Sequence, residues 1–354
     1  MTVPIRLWMR HETRPTECRA PIVPAHARQL VADGFAVTVE ESLQRVFAST
    51  EYAAAGCRVV EPGSWIDAPA DTYVIGLKEL PGEPAALRHR HVFFGHAYKG
   101  QPGSGELLRR FAAGGGTLLD LEYLTDEHGR RITAFGFWAG YVGAALAVLH
   151  YRGRLDRPLR PLSKPELDEM LARPSAAAPA SLVLGALGRA GRGALAALAV
   201  AGIDRPTAWD VEETRVLDLA ALLDHEIMVN TVFTGEPVTP FLTASDLDRT
   251  RRRLAVICDV TCDVGSACNV LPVYSSTTSW LEPARLLHPG PPRLDIIAID
   301  NLPSLLPREA SATFSADLLP QLRTLGEPGP PWRRCEQLFR SAREAAPDDL
   351  ASVD

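Results

Sequence analysis

The order of apolar runs predicts an α/β protein built as two units, each with a mainly parallel sheet. Short β-rich runs alternate with helical periods from Pro4 to about Leu124, a proline-rich connection follows, and the alternation restarts at about Ser181. A chain of 354 residues also exceeds what one core sustains, since single cores stop growing near roughly 250–300 residues. With 37 Lys+Arg against 43 Asp+Glu the net charge is −6, and 46% of residues are hydrophobic, the profile of a water-soluble globular protein. The weak negative charge and the isolation of the Arg251, Arg252 and Arg253 cluster provide no field for a polyanion, so no nucleic-acid partner is expected.

The expected strands of the first half are IRLWM, FAVTVEE, DTYVIGLKE, HVFFGHA and TLLDLEYL. Helices are expected over AHARQLVADG and GELLRRFAAGG, each closed by a glycine suited to the left-handed backbone of a C-cap. Strands alternating with helices pair in parallel and are covered on both faces. His89 and His91, in the string RHRH, read as members of a charged, solvated loop. The most apolar stretch, Phe135 to Tyr151, falls short of the roughly 20 residues that span a bilayer and reads as a buried helix, so no membrane partner is expected. The start, MTVPIRLWMRHETRP, lacks a basic segment followed by an apolar run and a small-residue cleavage site, and a cytoplasmic location is expected.

Residues 152–180 carry five prolines and many charges and read as a surface connection with one short helix. SLVLGALGRAGRGALAALAVAG then reads as strand, tight turn and helix, with further strands in TAWDVEET, HEIMVNTVF, RLAVICDVT and RLDIIAID. From Leu302 the chain runs through LPSLLPREAS into a helical tail with an acidic end. The six cysteines include no CxxC pair, which argues against a zinc site or a disulfide framework; reduced thiols and no metal are expected.

The strongest mechanistic signal is Gly185-Ala186-Leu187-Gly188-Arg189-Ala190-Gly191 between an apolar strand and an alanine-rich helix. In a dinucleotide fold the second glycine lets backbone approach the pyrophosphate, the third lets helix pack on strand, and the helix N-terminus offers free N–H groups. Read as GxGxxG, the frame is Ala186, Gly188 and Gly191; the first glycine is replaced, and Gly185 is positioned to take over part of the turn. Asp210 follows at a strand end about 20 residues on, where a carboxylate accepts from ribose hydroxyls and repels a 2′-phosphate, favouring NAD over NADP. A strand-end capping role is the alternative for Asp210, and Arg189 and Arg192 read equally as phosphate contacts or solvated charges.

In the first half Lys78 ends DTYVIGLKE, His96 follows HVFFG, and Glu122 lies within TLLDLEYL, all at expected strand ends. A partly desolvated lysine and a histidine suit acid/base work near neutrality. A surface ammonium and a hydrogen-bonded core imidazole are the alternatives. Arg19 and the Arg130-Arg131 pair could hold carboxylates bidentately or be ordinary surface charges.

Together TRPTECRAPIVP, VIGLKELP, FFGHAYK, GTLLDLEYL, GRRITAFGFWAGYVGAALAV, LGALGRAGRGA, WDVEET and IAIDNLPSLLPREAS run nearly end to end, and by them the chain resembles the NAD-dependent, lysine-forming saccharopine dehydrogenases, relatives of alanine dehydrogenase and the transhydrogenase NAD domain. The resemblance implies two Rossmann-like domains flanking a substrate cleft, with a catalytic domain of residues 1–135 and 303–354 and an NAD domain, 136–302, inserted in it. It implies oxidation of saccharopine by NAD to L-lysine and 2-oxoglutarate, by hydride transfer followed by imine hydrolysis. By the same resemblance Lys78 is the acid/base group on the amine, in surroundings that depress its pKa, and His96 handles water. Arg19 and Arg131 anchor carboxylates, with Arg130 and Lys99 as secondary candidates, while Glu17 and Glu122 tune the charge around Lys78 and Phe135 lines the nicotinamide. The cofactor set is Gly185, Leu187, Gly188, Arg189, Gly191, Asp210, Thr214, Val260, Asp300 and Leu302. A monomer or small homo-oligomer is expected.

Three departures accompany the resemblance. Some members carry a cysteine in the glycine-rich turn, positioned for a disulfide with the neighbouring strand; Ala190 and Thr231 here exclude it. Asn301 stands where the family often has histidine, and Cys268-Asn269 replaces a His-Asn pair in DVTCDVGSACNVLPVY, which bears on the amine substrate. The alternatives are therefore a related opine-type dehydrogenase joining another amino acid or diamino acid to a 2-oxo acid, an alanine-dehydrogenase-like enzyme, and, outside enzymes, a non-catalytic NAD-binding module. Retention of both Arg19 and Arg131 favours a substrate with several carboxylates, and retention of Lys78 and His96 favours an enzyme.

Overall fold

The computed structural model describes residues 4–98, 103–175, 178–248 and 251–345. The chain forms two compact units, Met1–Ala134 with Ala310–Asp354, and Phe135–Glu309. The first unit contains β1 (Arg6–Met9), α1 (Pro24–Ala32), β2 (Ala36–Glu40), α2 (Ser49–Ala54), β3 (Arg58–Val60), β4 (Tyr73–Ile75), β5 (Arg90–Phe93), α3 (Ser104–Gly114) and β6 (Thr117–Asp120). The second contains α4 (Gly136–Tyr151), α5 (Lys164–Ala172), β7 (Ser181–Leu184), α6 (Arg189–Val200), β8 (Thr207–Trp209), α7 (Val211–Arg215), α8 (Leu219–Leu223), β9 (Ile227–Asn230), β10 (Val256–Asp259), β11 (Arg285–His288) and β12 (Leu294–Ile297). Helices α9 (Pro307–Leu322) and α10 (Pro330–Ala345) return to the first unit.

The first sheet runs β3-β2-β1-β4-β5-β6 with every pairing parallel. Its order reverses between β1 and β4, the kind of switch point at whose carboxyl end open α/β sheets bind ligands. The returning helices are tied in: Ser311 and Ser315 hydroxyls accept from the Ala20 and Val23 amides at 2.9 and 3.1 Å, and Phe339 joins the core around Trp65, Phe93 and Phe111. Resemblance set the return to this unit at residue 303. The second compact unit runs to Glu309, with Leu302, Leu305 and Leu306 in its core.

The second sheet runs β11-β12-β10-β9-β7-β8, parallel except for β11, which pairs antiparallel with β12. Alternate strand residues feed two cores, Val183, Val229 and Cys258 on one face and Leu182, Met228 and Ile257 on the other, so the strands read as continuous apolar runs. Helix α4 is buried from Gly140 to Leu149. It meets α6 backbone to backbone: a Cβ on Gly140 would lie 1.8 Å from the Ala190 carbonyl oxygen, and one on Gly193 would lie 1.9 Å from that of Phe137.

His89 and His91 are buried, not solvated, and correct the sequence expectation. Residues 88 to 91 continue strand alternation, with Arg88 and Arg90 exposed and both imidazoles inward. The His91 ring lies 5.2 Å from Trp65 and 5.4 Å from Phe111, and both its nitrogens are without hydrogen-bond partners among the described residues. Burial first, then the charges of His89, Arg10 and Arg110, hold its pKa well below 6.5. The unfolded chain therefore takes up this proton as pH falls through about 6.5 while the folded chain does not, and stability falls with it by about 1.4 kcal/mol per pH unit. Denaturation of the parent and His91→Leu between pH 5 and 8 is expected to show this slope in the parent relative to the variant; parallel curves would refute it. Gly140→Ala is expected to cost at least about 1–3 kcal/mol in a thermal or denaturant melt, because its methyl meets backbone that cannot rotate away.

Candidate active site

Four strands of the first sheet end on residues with chemistry. Arg10 and Glu12 follow β1, Lys78 follows β4, His96 follows β5, and Asp120 closes β6 two residues before Glu122. Since the strands are parallel, these residues share the carboxyl edge where α/β sheets bind ligands. His96 has φ of 48°, a left-handed backbone that is costly for a side-chain-bearing residue and recurs where function requires it. Its Nδ1 lies 3.1 Å from Glu122 Oε2, and its ring stacks on Phe94 at 6.5 Å. Lys78 is half-buried, and the neighbouring Glu79 pairs with Arg14.

Lys78, His96 and Glu122 thus end at one edge. The proposed anchors lie in different settings. Arg19 is buried and grips Glu17 through Nε, at 2.7 Å, and Nη2, so Glu17 is committed to that guanidinium. Arg130 and Arg131 occupy an exposed turn after Glu122, where Arg130 pairs with Asp126 at 2.9 Å and Arg131 bridges Thr125. Lys99 lies outside the described residues.

In the second unit the glycine-rich turn follows β7. Gly185 takes φ of 77°, supplying the turn that the replaced first glycine would have made. Gly188 caps α6, and a Cβ on Gly191 would meet the Gly185 carbonyl oxygen at 2.2 Å, so only glycine lets the helix start this close to the strand. Asp210 ends β8; its Oδ2 accepts from the Leu187 amide at 2.8 Å and its Oδ1 from Val211 at 2.9 Å, tying the two loops together. Both oxygens are thereby engaged at the strand end, the capping role that the sequence also allowed. Leu187 is exposed, and Arg189 opens α6. Thr214 spends its hydroxyl on the Asp210 carbonyl at 2.7 Å. Phe135 caps α4, Val260 follows β10, and Asp300 is exposed, whereas the Leu302 side chain is buried in the core, so a lining role for it falls to backbone. Beside Val260, the buried Asp259 carboxylate accepts from Asn230 at 3.0 Å, Thr261 Oγ1 at 2.7 Å and the Tyr274 hydroxyl at 2.7 Å, pinning the 260–274 loop.

Sequence reasoning missed Arg10, Glu12 and Asp120, and gave Asp259 no role. Each sits at or just past the end of a strand, the same signal that singled out Lys78 and His96.

A family model described as alanine dehydrogenase/PNT, N-terminal domain, matches residues 8–142. The chain is 41% identical over 361 residues to the saccharopine dehydrogenase (NAD+, L-lysine-forming) of Emericella nidulans, covering 94% of this chain and 96% of that one. It is 40% identical to the protein of the same description from Yarrowia lipolytica, covering 96% and 98%. Among solved structures, an L-alanine dehydrogenase superposes with a TM-score of 0.65 at 17% identity, covering 95% and 94%, and the transhydrogenase from Sinorhizobium meliloti with 0.64 at 17% identity, covering 91% and 95%. These two share the fold.

Asp120 carries the chemistry most sensitive to its surroundings. It is fully buried; Oδ1 accepts from the Glu122 amide at 2.9 Å, while Oδ2 has no hydrogen-bond partner among the described residues. Burial pushes its pKa up to about 6 and the Glu122 charge adds to this, against the pull of the Glu122 and Gly95 amides and of His96. The folded pKa exceeds the unfolded value of about 3.9, so the folded state keeps a proton that the unfolded chain has released, and stability falls as pH rises from about 4 to 6. Asp120→Asn keeps the Oδ1 acceptor and removes the charge. It is expected to gain on the order of 2–3 kcal/mol on the parent between pH 4 and 7, read from denaturant midpoints; a constant difference would refute the shift.

Proposed function

The chain belongs to the NAD-dependent, L-lysine-forming saccharopine dehydrogenase family, and on that premise we propose that it oxidises saccharopine reversibly to L-lysine and 2-oxoglutarate. The observation that carries the reading is that Lys78 and His96 leave adjacent parallel strands, β4 and β5, at the same edge. Two acid/base groups there serve a reaction with two proton-transfer centres, a secondary amine and a water.

The second unit suits a dinucleotide. The Gly191 contact draws the α6 N-terminus up against the turn, its first amides are the unsatisfied donors of any helix start, and Asp210 stands at the neighbouring strand end. A bound NAD+, held by the Gly185–Gly191 turn and Asp210, would supply the acceptor for the hydride of the glutaryl α-carbon. Lys78 takes the proton of the substrate's secondary ammonium and returns one to the departing lysine amine. His96, paired with Glu122, takes a proton from the water that attacks the imine carbon, passes it to solvent, and then takes the hydroxyl proton of the resulting carbinolamine as its carbon–nitrogen bond breaks to leave 2-oxoglutarate. Arg19, its plane fixed by Glu17, and Arg131, with Arg130 and Lys99 in support, meet substrate carboxylates. Of the described residues, no helix is long and apolar enough to cross a membrane; the six cysteines are thiols rather than disulfides, which fits a reducing compartment such as the cytoplasm.

An NADH oxidation assay tests the reading: lysine plus 2-oxoglutarate is expected to turn over, pyruvate plus ammonia is not, and robust rates only with the second pair would overturn it. Ornithine and diaminobutyrate in place of lysine test the loop bearing Cys268 and Asn269. Lys78→Met and His96→Gln are each expected to lower kcat by about 10²–10⁴ with little change in NADH affinity. Asp210→Ser is expected to narrow the preference for NADH over NADPH, read as the ratio of kcat/KM values.

A further inference from the structure

Past the end of β4 the backbone is gripped by a pair of buried side chains. Arg10 and Glu12, 1% and 4% exposed, pair through Nη1 and Oε2 at 3.3 Å. Glu12 Oε1 accepts from the Leu77 amide at 2.6 Å and Oε2 from the Lys78 amide at 3.0 Å. Arg10 Nη2 donates to the Lys78 carbonyl and Nη1 to the His11 carbonyl, the latter at 3.0 Å. The guanidinium is itself wedged: a Cβ on Gly76 would lie 2.5 Å from its Cζ, and it sits over the Phe93 ring at 5.7 Å. The backbone beneath is fixed too, since the Arg10 amide donates to the Ile75 carbonyl and Arg45 donates to the Glu40 and Arg10 carbonyls.

Both peptide bonds flanking Lys78 are therefore held by one ion pair reaching across from β1, at the position where the sheet order reverses. The pair satisfies backbone groups that have left their ladder, a structural service in itself; what singles it out is that a charged acceptor and a charged donor converge on the two peptide bonds of one residue, the one that carries the proposed acid/base group. A lysine head rides on four rotatable carbons, so its reach is set by where its Cα is anchored.

We infer that Arg10 and Glu12 are positioning residues for Lys78, fixing the origin of the acid/base side chain in the proposed reaction. The inference rests on the reading of Lys78 given above.

The test is a double-mutant cycle on the full-length protein, with kcat from NADH oxidation by saturating lysine and 2-oxoglutarate, and NADH affinity from fluorescence titration. Glu12→Gln leaves an acceptor for Leu77 but turns a donor towards the Lys78 amide. It is expected to lower kcat about 10–100-fold in the parent, with NADH affinity within about twofold, and to change the residual rate of Lys78→Met by no more than about twofold. Glu12→Asp, which keeps charge and both acceptor oxygens, is expected to recover part of the loss. Equal losses in both backgrounds would mean a merely structural role and overturn the inference, as would an unchanged kcat in Glu12→Gln. Full turnover by Lys78→Met would instead remove the Lys78 assignment, and the inference with it. If Glu12→Gln is not recovered folded, Arg10→Lys, which keeps the cation without the planar fork, carries the same cycle with the same outcomes.

Discussion

Parallel pairing of very short strands is the constraint on which the rest depends. Strands of three to five residues, joined in parallel, bring every chain exit of a sheet to one edge and leave the backbone beyond that edge without a ladder partner. Each freed amide and carbonyl must be satisfied some other way or left to water. In the first unit the answer is side chains: Glu12 and Arg10 beyond β4, and Asp120 beyond β6. In the second it is Asp210, Thr231 and Asp259, each a polar group at a strand end bonding the loop that follows or a neighbouring one. The polar residues that complete the sheets and those that a reaction can use are thus drawn from the same few positions.

Much of this was legible in the sequence, because buried parallel strands are apolar throughout and their ends are marked by the first polar residue. The runs ending at Lys78, His96 and Asp210 were visible on that ground. Strands β3 and β11 were not: the first is three residues long at a sheet edge, and the second is an antiparallel edge strand between proline-rich segments. His89 and His91 were misread because the arginines around them suggested solvent, although alternation already placed the two imidazoles on one side. Arg10, Glu12 and Asp120 were passed over because charged residues in near-consecutive order look like surface, and nothing local says that they fold inward onto another strand's backbone. The family resemblance added the roles of Arg19, Arg131 and Phe135, which spacing alone left open.

The glycine-rich turn is tied to the neighbouring strand by a hydroxyl. Thr231 donates its hydroxyl to the carbonyl of Leu184 at 2.7 Å and lies 3.1 Å from that of Gly185, so a hydroxyl links the β9 end to the glycine-rich turn without a covalent bridge. All six cysteines remain thiols. Burial pushes the Cys57 thiol up to about 11, and Cys258 and Cys262 rise further in the same direction, so these groups are poor nucleophiles at neutral pH.

The contact between α4 and α6 fixes more than a core. Where two helices touch through main chain, a slide or roll of either drives backbone atoms into one another, so their mutual position is tightly set and the start of α6 with it. Substitution around the turn is therefore tolerated at its rim, at exposed side chains such as Leu187 and Val211, while the floor beneath resists even a single methyl group.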